Sequence, residues 1–378
     1  MRILHVTNTL GCGGAEFLLA NIVIEQVKRG HEVIIVISEP FHITYNDFSL
    51  RNKLEESAKI IQIEFKSSFS LLKNKLIIDI EKFDEIVTRF SPNVIHSHLF
   101  KAELISHYKL YDNIKYVTHC HNNMDQFNLK NRKKNKRWIS DFLEIKWLLK
   151  KYKKVNNTFI AISKDTESFF KLHLPSKLKK NVCFLPNCID RTLYFSDENK
   201  ITNQFVQLIS IGNLTENKGH RFLIEIVSKL IFKGYKIKFD ILGYGPLQGD
   251  LKMLINDLNL NECVFLRGNV SNVDFYLSKA DIFVHAAHKE GFGLVLLEAM
   301  ASKLPIVTTN GGGNQDLINE NENGFLIENR NLIDFEQKLE VLILDPEKRK
   351  RMGENGFIFS KSYDVVDYTN RLIEIYKC

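Results

Sequence analysis

The chain has 378 residues, of which 44% are hydrophobic and 26% are charged, and its formal net charge is +7 at pH 7. This length suits two domains with a core each, and the composition of an ordinary globular protein excludes the disordered and fibrous classes. No window of eighteen apolar residues indicates a membrane span, and "RILHVT" after Met1 resembles a strand rather than a signal peptide. We therefore expect a cytoplasmic protein.

The six cysteines form neither a C-x-x-C pair nor a cluster with the spacing of metal ligands. We expect reduced thiols, and we predict no disulfide and no metal site. The cysteines are Cys12, Cys120, Cys183, Cys188, Cys263 and Cys378.

Short β-branched segments alternate with helical stretches along the first half of the chain. Because these segments are apolar nearly throughout, they fit parallel strands that helices cover on both faces. In chain order they are RILHVT, EVIIVIS, KIIQIEF, NVIHSH, KYVTHCH and TFIAIS.

A glycine loop, NTLGCGGAEFLL, follows the first predicted strand and opens a helix. A dinucleotide-binding fingerprint would need a third glycine at the position of Glu16, so the dehydrogenase interpretation loses its main support. Gly11, Gly13 and Gly14 remain at the carboxyl end of a strand, where open α/β sheets bind ligands. A plain tight turn is the alternative.

The segment 130–154 is strongly basic, with eleven basic and two acidic residues, and it contains both tryptophans. A predicted helix carries an apolar stripe and a lysine stripe there. It either rests on anionic lipid headgroups or packs on the sheet with solvated lysines, and nucleic acid is a weaker interpretation. The apolar stripe is Trp138, Phe142, Ile145 and Leu149, and the basic stripe is Lys146, Lys150 and Lys153.

The polar stretch 196–204 has no apolar periodicity and is predicted to be a linker. A second strand series follows it, and its segments are VQLISIGN, KIKFDILGYG, CVFLRGN, DIFVHAA and PIVTTN. Two doubly wound α/β domains of similar size are therefore predicted. The last segment, 363–378, has helical spacing and is expected to cross back to the first domain.

The stretch 288–313 sets Glu290 and Glu298 eight positions apart around a glycine loop. Gly291 and Gly293 allow close approach of the backbone to a ligand, and the helix predicted from Leu294 to Ser302 would direct its first amides at an anion. Carboxylates accept hydrogen bonds from sugar hydroxyls, so the pattern indicates a site for a phosphorylated sugar. An ordinary turn with a surface glutamate is the alternative.

A series of motifs across nearly the whole chain resembles the retaining glycosyltransferases of family four. In order they are GCGGAE, VIHSH, VTHCHN, AISK, LPNCID, IGNLTENKGH, ILGYGP, EGFGLVLLEAMA, LPIVTT with GGGNQDLI, and NGFLI. The resemblance implies the α/β GT-B fold, in which two Rossmann-like doubly wound parallel-sheet domains face a central cleft. It implies an acceptor domain over 1–195, a donor domain over 196–360 and a C-terminal helix over 361–378.

The resemblance also implies roles for single residues. Glu290 would hold hydroxyls of the transferred sugar, Glu298 the nucleotide ribose, and Lys218 the donor diphosphate. His121 would face the donor sugar and the acceptor, and the motif register favours it over His119. The implied catalytic residues are His121, Lys218 and Glu290, and the other implied donor-binding residues are Gly13, Gly14, Asn213, Val270, Gly291, Phe292, Gly293, Leu294 and Glu298.

One departure from the family pattern concerns charge. The family usually places an arginine after the glycine where this chain has Asn213, so Lys218 acts alone, Arg267 or Arg221 substitutes, or activity is low. The implied reaction is retaining transfer by front-face displacement, without a metal, from a nucleotide-sugar, preferably a UDP-sugar. The acceptor would be a lipid-linked or growing glycan, made at the inner face of the cytoplasmic membrane.

Two other classes remain open. A sugar-nucleotide epimerase of related architecture would use no acceptor. A non-catalytic protein that binds the donor, or serves assembly, is compatible with Asn213.

Overall fold

A computed structural model describes residues 1–11, 13–39, 48–64, 67–70, 75–128, 138–196, 204–328 and 331–378. The chain forms two compact units. The first comprises Met1–Asn187 together with Tyr368–Cys378, and the second comprises Cys188–Asp367. Most of the predicted linker at 196–204 lies outside the described residues.

The first unit is built on a seven-stranded sheet in the order β3-β2-β1-β6-β7-β8-β9, and all of its strand pairs are parallel. Each of the six predicted segments forms one of these strands. The strands are β1 (Arg2–Thr7), β2 (Glu32–Ile37), β3 (Lys59–Gln62), β6 (Val94–His98), β7 (Lys115–Cys120), β8 (Asn157–Ala161) and β9 (Val182–Phe184), and an antiparallel hairpin consists of β4 (Ser67–Ser70) and β5 (Lys75–Ile78).

Helices connect these parallel strands, and the structure shows why the strands lack apolar alternation. All five residues of β6 are buried, and so are the last five residues of β1 and β7. Both faces of the sheet are therefore covered. The helices are α1 (Gly14–Lys28), α2 (Phe48–Ser57), α3 (Glu81–Phe90), α4 (Phe100–Ser106), α5 (Trp138–Tyr152), α6 (Lys164–His173) and α7 (Ser176–Lys179).

The second unit has a six-stranded parallel sheet in the order β12-β11-β10-β13-β14-β15. Its five predicted strands are present, and the short segment Gly324–Ile327 adds β15. The strands are β10 (Val206–Ile211), β11 (Ile237–Leu242), β12 (Val264–Gly268), β13 (Ile282–His285), β14 (Ile306–Thr309) and β15 (Gly324–Ile327).

The helices of the second unit pack around this sheet over a core that includes Phe239, Phe325 and Phe335. They are α8 (His220–Phe232), α9 (Gln248–Asp257), α10 (Val273–Lys279), α11 (Leu294–Ala301), α12 (Leu332–Leu344) and α13 (Pro346–Ser360). The final helix, α14 (Val365–Lys377), begins in the second unit, and its residues from Tyr368 onward belong to the first.

Both sheets confirm the predicted Rossmann-like class, because each shares the doubly wound strand order. In such sheets ligands bind beyond the carboxyl ends of the strands, where the strand order reverses. The reversal lies between β1 and β6 in the first unit and between β10 and β13 in the second.

The lengths of the helices decide whether any of them could span a membrane. The longest helices, α1, α5 and α13, have 15 residues each, whereas a bilayer span needs about 20 apolar residues. In the part of the chain that the structure describes, no helix is long and apolar enough to cross a membrane.

Candidate active site

The clearest candidate site lies at the strand-order reversal of the second unit. A single turn of 3-10 helix, Glu216–Lys218, follows β10 and carries Lys218. Glu290 follows β13. Because β10 and β13 are neighbours and parallel, their carboxyl ends bring these two side chains together across 72 positions of sequence.

Lys218 and Glu290 form an ion pair in which Nζ lies 2.5 Å from Oε2. The two side chains are 21% and 18% exposed. His285, the last residue of β13, places Nε2 3.5 Å from the same oxygen. Burial alone would raise the pKa of Glu290, but the His285 ring and the charge of Lys218 hold this pKa at about 2. Glu290 is therefore a carboxylate at physiological pH.

The glycine loop between Glu290 and α11 is held by backbone contacts. The Gly313 N–H donates to the Glu290 carbonyl at 2.9 Å, and the Glu290 N–H donates to the Gly311 carbonyl. A Cβ atom on Gly313 would lie 2.4 Å from the Gly291 carbonyl oxygen, so only glycine fits there. Gly293 has φ of +94° and is the N-cap residue of α11. The first amides of this helix therefore lie at the end of the glycine loop.

Helix α11 begins at Leu294, as predicted, and carries Glu298 on its second turn. The Tyr194 hydroxyl donates a hydrogen bond to the Glu298 carboxylate. Burial raises the pKa of Glu298 to about 7, and the bond from Tyr194 opposes that rise. Within the described residues, Glu298 has no cationic partner of the kind that Lys218 provides for Glu290, so the pKa values of the two carboxyl groups differ.

The other donor-binding residues predicted in this unit lie around the same strand ends. Asn213 is exposed two residues after β10, and Val270 is partly buried two residues after β12. Phe292 is buried and its ring contacts that of Tyr363. The Phe292 side chain therefore has a packing role.

The two alternative cations have different surroundings. The Arg267 Nε donates to Asp240 Oδ1 at 2.6 Å, and the guanidinium stacks over the Phe265 ring. Arg221 is exposed in the first turn of α8. Since Arg267 already neutralises Asp240, it is a poor replacement for the arginine absent at Asn213.

In the first unit, the predicted glycines stand at the start of α1. Gly13 is the N-cap residue, and Gly14 is the first residue of the helix. The Glu16 carboxylate turns back toward Gly13, where a Cβ atom would lie 2.3 Å from its Oε2. Glu16, which replaces the third glycine of the dinucleotide-binding fingerprint, thus packs against the glycine loop.

His121 lies directly after β7 as one of five neighbouring histidines. The other four are His5 on β1, His96 and His98 on β6, and His119 on β7. His121 is 9% exposed and His119 is fully buried. Their rings stack 4.1 Å apart at an interplanar angle of 9°.

Helix α5 and the two residues after it, Lys153 and Lys154, form the described part of the basic segment, and 129–137 lie outside the described residues. Lys146, Lys150, Lys153 and Lys154 are exposed. The Lys151 Nζ, in contrast, donates to the Tyr108 carbonyl and lies 5.0 Å from the centre of the Trp147 ring. Ile145 is buried as part of the core, whereas Phe142 is 40% exposed.

Sequence reasoning missed three side chains of the second unit that surround the site. These are His285, Tyr194 and His220, the last of which is buried at the start of α8 with its pKa lowered to about 3 by burial, His285 and Lys218. One available signal was the position of His285 at the end of a strand next to the strand-order reversal. Tyr194 had no comparable signal, because its contact with Glu298 spans more than a hundred residues.

Two family models match the chain in succession. The model described as Glycosyltransferase Family 4 matches residues 12–193, and the model described as Glycosyl transferases group 1 matches residues 190–358.

Two curated relatives illustrate the similarity. The chain is 31% identical over 170 residues to the capsular polysaccharide biosynthesis glycosyltransferase CapM of Staphylococcus aureus, covering 42% of this chain and 44% of CapM. It is 33% identical over 160 residues to a Campylobacter jejuni N-acetylgalactosaminyltransferase whose name specifies a diphospho-undecaprenol substrate. That match covers 42% of this chain and 43% of the relative, so the chain spans less than half the length of both relatives.

Solved structures share the fold over the full length. The structure of Anabaena HepE in complex with UDP has a TM-score of 0.78 with this chain and covers 99% of it, with 99% of HepE covered in return. The two sequences are 18% identical, so this similarity concerns the fold.

Proposed function

We propose that this chain, which belongs to the glycosyltransferases because the Family 4 model matches its first half and the group 1 model its second, transfers a sugar from a nucleotide-sugar to a hydroxyl group. The proposed donor is a UDP-sugar, and the proposed acceptor is a lipid-linked or growing glycan in cell-surface polysaccharide synthesis. The names of the capsular and diphospho-undecaprenol relatives support this acceptor class, and the UDP complex of HepE supports the nucleotide.

The observation that carries the proposal is the Lys218–Glu290 pair beside the glycine loop and the start of α11. A nucleoside diphosphate leaving group needs positive charge and hydrogen-bond donors where its own negative charge develops. Lys218 and the first amides of α11 supply both. Glu290, ionised at physiological pH, supplies acceptors for sugar hydroxyls.

The proposed reaction retains the configuration of the anomeric carbon. The bond from that carbon to the diphosphate oxygen breaks while a bond to the acceptor oxygen forms on the same face. The acceptor hydroxyl gives its proton to the departing diphosphate. Lys218 stabilises the leaving charge, Glu290 orients the transferred sugar, and Glu298 binds the ribose. His121, in the first unit, is proposed to face a substrate hydroxyl. Under this proposal the chain's own groups supply the positive charge, and no metal ion takes part.

The proposed location is the inner face of the cytoplasmic membrane. Four exposed lysines, Lys146 and Lys150 on α5 and Lys153 and Lys154 directly after it, form the surface that would meet anionic headgroups. The exposed Phe142 and Ile139 on the same helix would add apolar contact. Lys151 is excluded from this surface because it is bound to Tyr108.

A panel of sugar nucleotides tests the function, with release of nucleoside diphosphate measured in the presence and absence of extracted lipid-linked acceptors. Acceptor-dependent release supports the transferase. A new sugar nucleotide without free diphosphate supports the epimerase instead. Calorimetric binding of a donor with no turnover across the panel supports the non-catalytic alternative, which is compatible with Asn213 because this side chain carries no charge.

A further inference from the structure

The five histidines of the first unit lie on one face of its sheet. His5 pairs in register with His96, and His98 pairs with His119, so these side chains point to the same side of neighbouring strands. Helices α1 and α14 contribute two buried polar side chains to this face, Gln26 and Tyr376. An imidazole layer thus spans three strands at the strand-order reversal of the first unit.

Three of the rings form a continuous hydrogen-bonded row. The His5 Nε2 lies 2.9 Å from Gln26 Oε1, and the His5 Nδ1 lies 3.0 Å from His98 Nε2. The His98 Nδ1 lies 2.9 Å from His121 Nε2. The row therefore runs from the Gln26 amide, through His5 and His98, to His121.

Neutral imidazole carries a single N–H, so each ring in the row donates through one nitrogen and accepts through the other. Burial lowers the pKa of His5 to about 4, that of His98 well below its usual range and that of His121 to about 3. All three rings are neutral at physiological pH. Because each gap between nitrogens holds one proton, the direction of one bond fixes the direction of the others.

Gln26 sets that direction. Its Nε2 donates to the Tyr376 hydroxyl at 3.3 Å, which leaves Oε1 facing His5. An amide oxygen only accepts, so the His5 Nε2 carries the proton and its Nδ1 accepts from His98 Nε2. His98 Nδ1 in turn accepts from His121 Nε2. The lone pair of His121 is then on Nδ1, the nitrogen that does not face His98.

We propose that Gln26, acting through His5 and His98, is a positioning residue that fixes His121 as its Nε2–H tautomer and so makes Nδ1 a hydrogen-bond acceptor for a substrate hydroxyl. The role of the hydroxyl rests on the proposed function. The row does not carry a proton away, because the Gln26 amide that ends it does not take one up. It fixes which nitrogen accepts.

The same rings contain two groups of three nitrogens within 4.8 Å of one another, which raises the question of a bound cation. The geometry favours protons. In the second group, His119 and His121 are stacked nearly parallel, so one ion cannot lie in both ring planes. In the first group, the facing nitrogens of His5 and His98 are 3.0 Å apart, which is a hydrogen-bond distance.

Imidazole ¹⁵N chemical shifts test the proposal, because protonated and unprotonated ring nitrogens have distinct values. The full chain is labelled on histidine, and the His121 signals are assigned by their loss in His121→Gln. In the wild type we expect His121 with Nε2 protonated and Nδ1 unprotonated. A wild-type His121 protonated on Nδ1, or a mixture of both tautomers, would overturn the proposal.

Gln26→Leu removes the fixed acceptor with little change in volume, so the bond direction along the row is released and the Nδ1–H tautomer of His121 becomes populated. Thr118→Val is the matched control, since it removes a buried hydroxyl from the other face of β7. It is expected to leave the His121 signals unchanged. Retention of the pure Nε2–H tautomer in Gln26→Leu contradicts the proposal.

Donor affinity gives a second measurement. Gln26→Leu is expected to weaken UDP-sugar binding about tenfold, the value of one hydrogen bond, and to leave UDP binding unchanged. Equal loss for both ligands indicates a general structural effect and contradicts the positioning role. The ¹⁵N shifts are measured without substrate. A wild-type protein that binds no nucleotide-sugar therefore refutes the proposed function but leaves the result of the tautomer measurement valid.

Discussion

Lys218 and Glu290 are paired at the centre of the candidate site, with Nζ 2.5 Å from Oε2. The pair joins the segments that follow β10 and β13. Each charge lowers the cost of partly burying the other, and each side chain limits the positions available to its partner. A diphosphate that binds Lys218 must therefore share this lysine with Glu290. For this reason, the two residues have separable effects on nucleotide binding and on sugar transfer.

Replacing Lys218 by alanine is expected to lower turnover by about 10²–10³-fold, because the leaving diphosphate loses a preorganised cation. Turnover is followed as nucleoside diphosphate release at saturating donor. Lys236→Ala, an exposed lysine of the same unit, is the control and should retain full activity. If Lys218→Ala keeps more than a tenth of the activity while its unfolding curve is unchanged, another group stabilises the leaving group.

Glu290→Gln keeps the side-chain volume and removes the negative charge beside Lys218. UDP affinity should be equal to or higher than that of the wild type, since the lysine is no longer shared, while transfer falls at least about tenfold through lost hydroxyl contacts. Calorimetry with UDP and turnover assays measure the two effects separately. Parallel loss of UDP affinity and turnover would argue that Glu290 serves only to hold the loop.

The raised pKa of Glu298 predicts a pH-dependent stability. Between its usual pKa near 4.5 and the folded value of about 7, the folded state keeps a proton that the unfolded state has lost. The contribution of Glu298 to wild-type stability therefore falls as pH rises through this window. Glu298→Gln has no such proton, so at pH 8 it should be more stable by about 1–3 kcal/mol, and the difference should vanish near pH 4. Denaturant unfolding at both pH values measures it, and a constant difference would mean that Glu298 is not perturbed by folding.

Gly313→Ala tests the support of the glycine loop. Its Cβ would lie 2.4 Å from the Gly291 carbonyl oxygen, so the loop must shift. The expected cost is about 1–3 kcal/mol of unfolding free energy, with weaker UDP binding. Gly249→Ala in α9 is the matched control, because a Cβ there meets no atom within 4 Å and alanine favours a helix. If the two variants behave alike, Gly313 does not support the loop.

The exposed lysines of α5 and of the two positions after it predict binding to anionic vesicles. Replacing Lys146, Lys150, Lys153 and Lys154 by serine should reduce flotation with phosphatidylglycerol vesicles, and salt should reduce the flotation of the wild type. Four exposed lysines elsewhere in the first unit, Lys53, Lys59, Lys177 and Lys180, provide a control with the same change in net charge. Equal loss in both variants would indicate net charge rather than a defined surface.

Much of the fold could be predicted because its signals are local. The continuous apolar segments RILHVT and NVIHSH indicate buried parallel strands wherever they lie in the chain, and they form β1 and β6. The segment Val182–Phe184 was not predicted as a strand, because three residues carry too little pattern. It becomes β9 by pairing with β8, which only the folded sheet supplies.

For the candidate site, the sequence by itself determined the chemical groups and their order. Glu290, the glycine loop, Glu298 and Lys218 could be identified because short-range spacing relates them to strand ends and to a helix start. The tertiary structure decided which groups meet, since pairs such as Lys218 with Glu290 and Tyr194 with Glu298 depend on strand order and on packing between distant segments. It also decided their protonation, because burial and neighbouring charges place the pKa of one glutamate at about 2 and of the other at about 7.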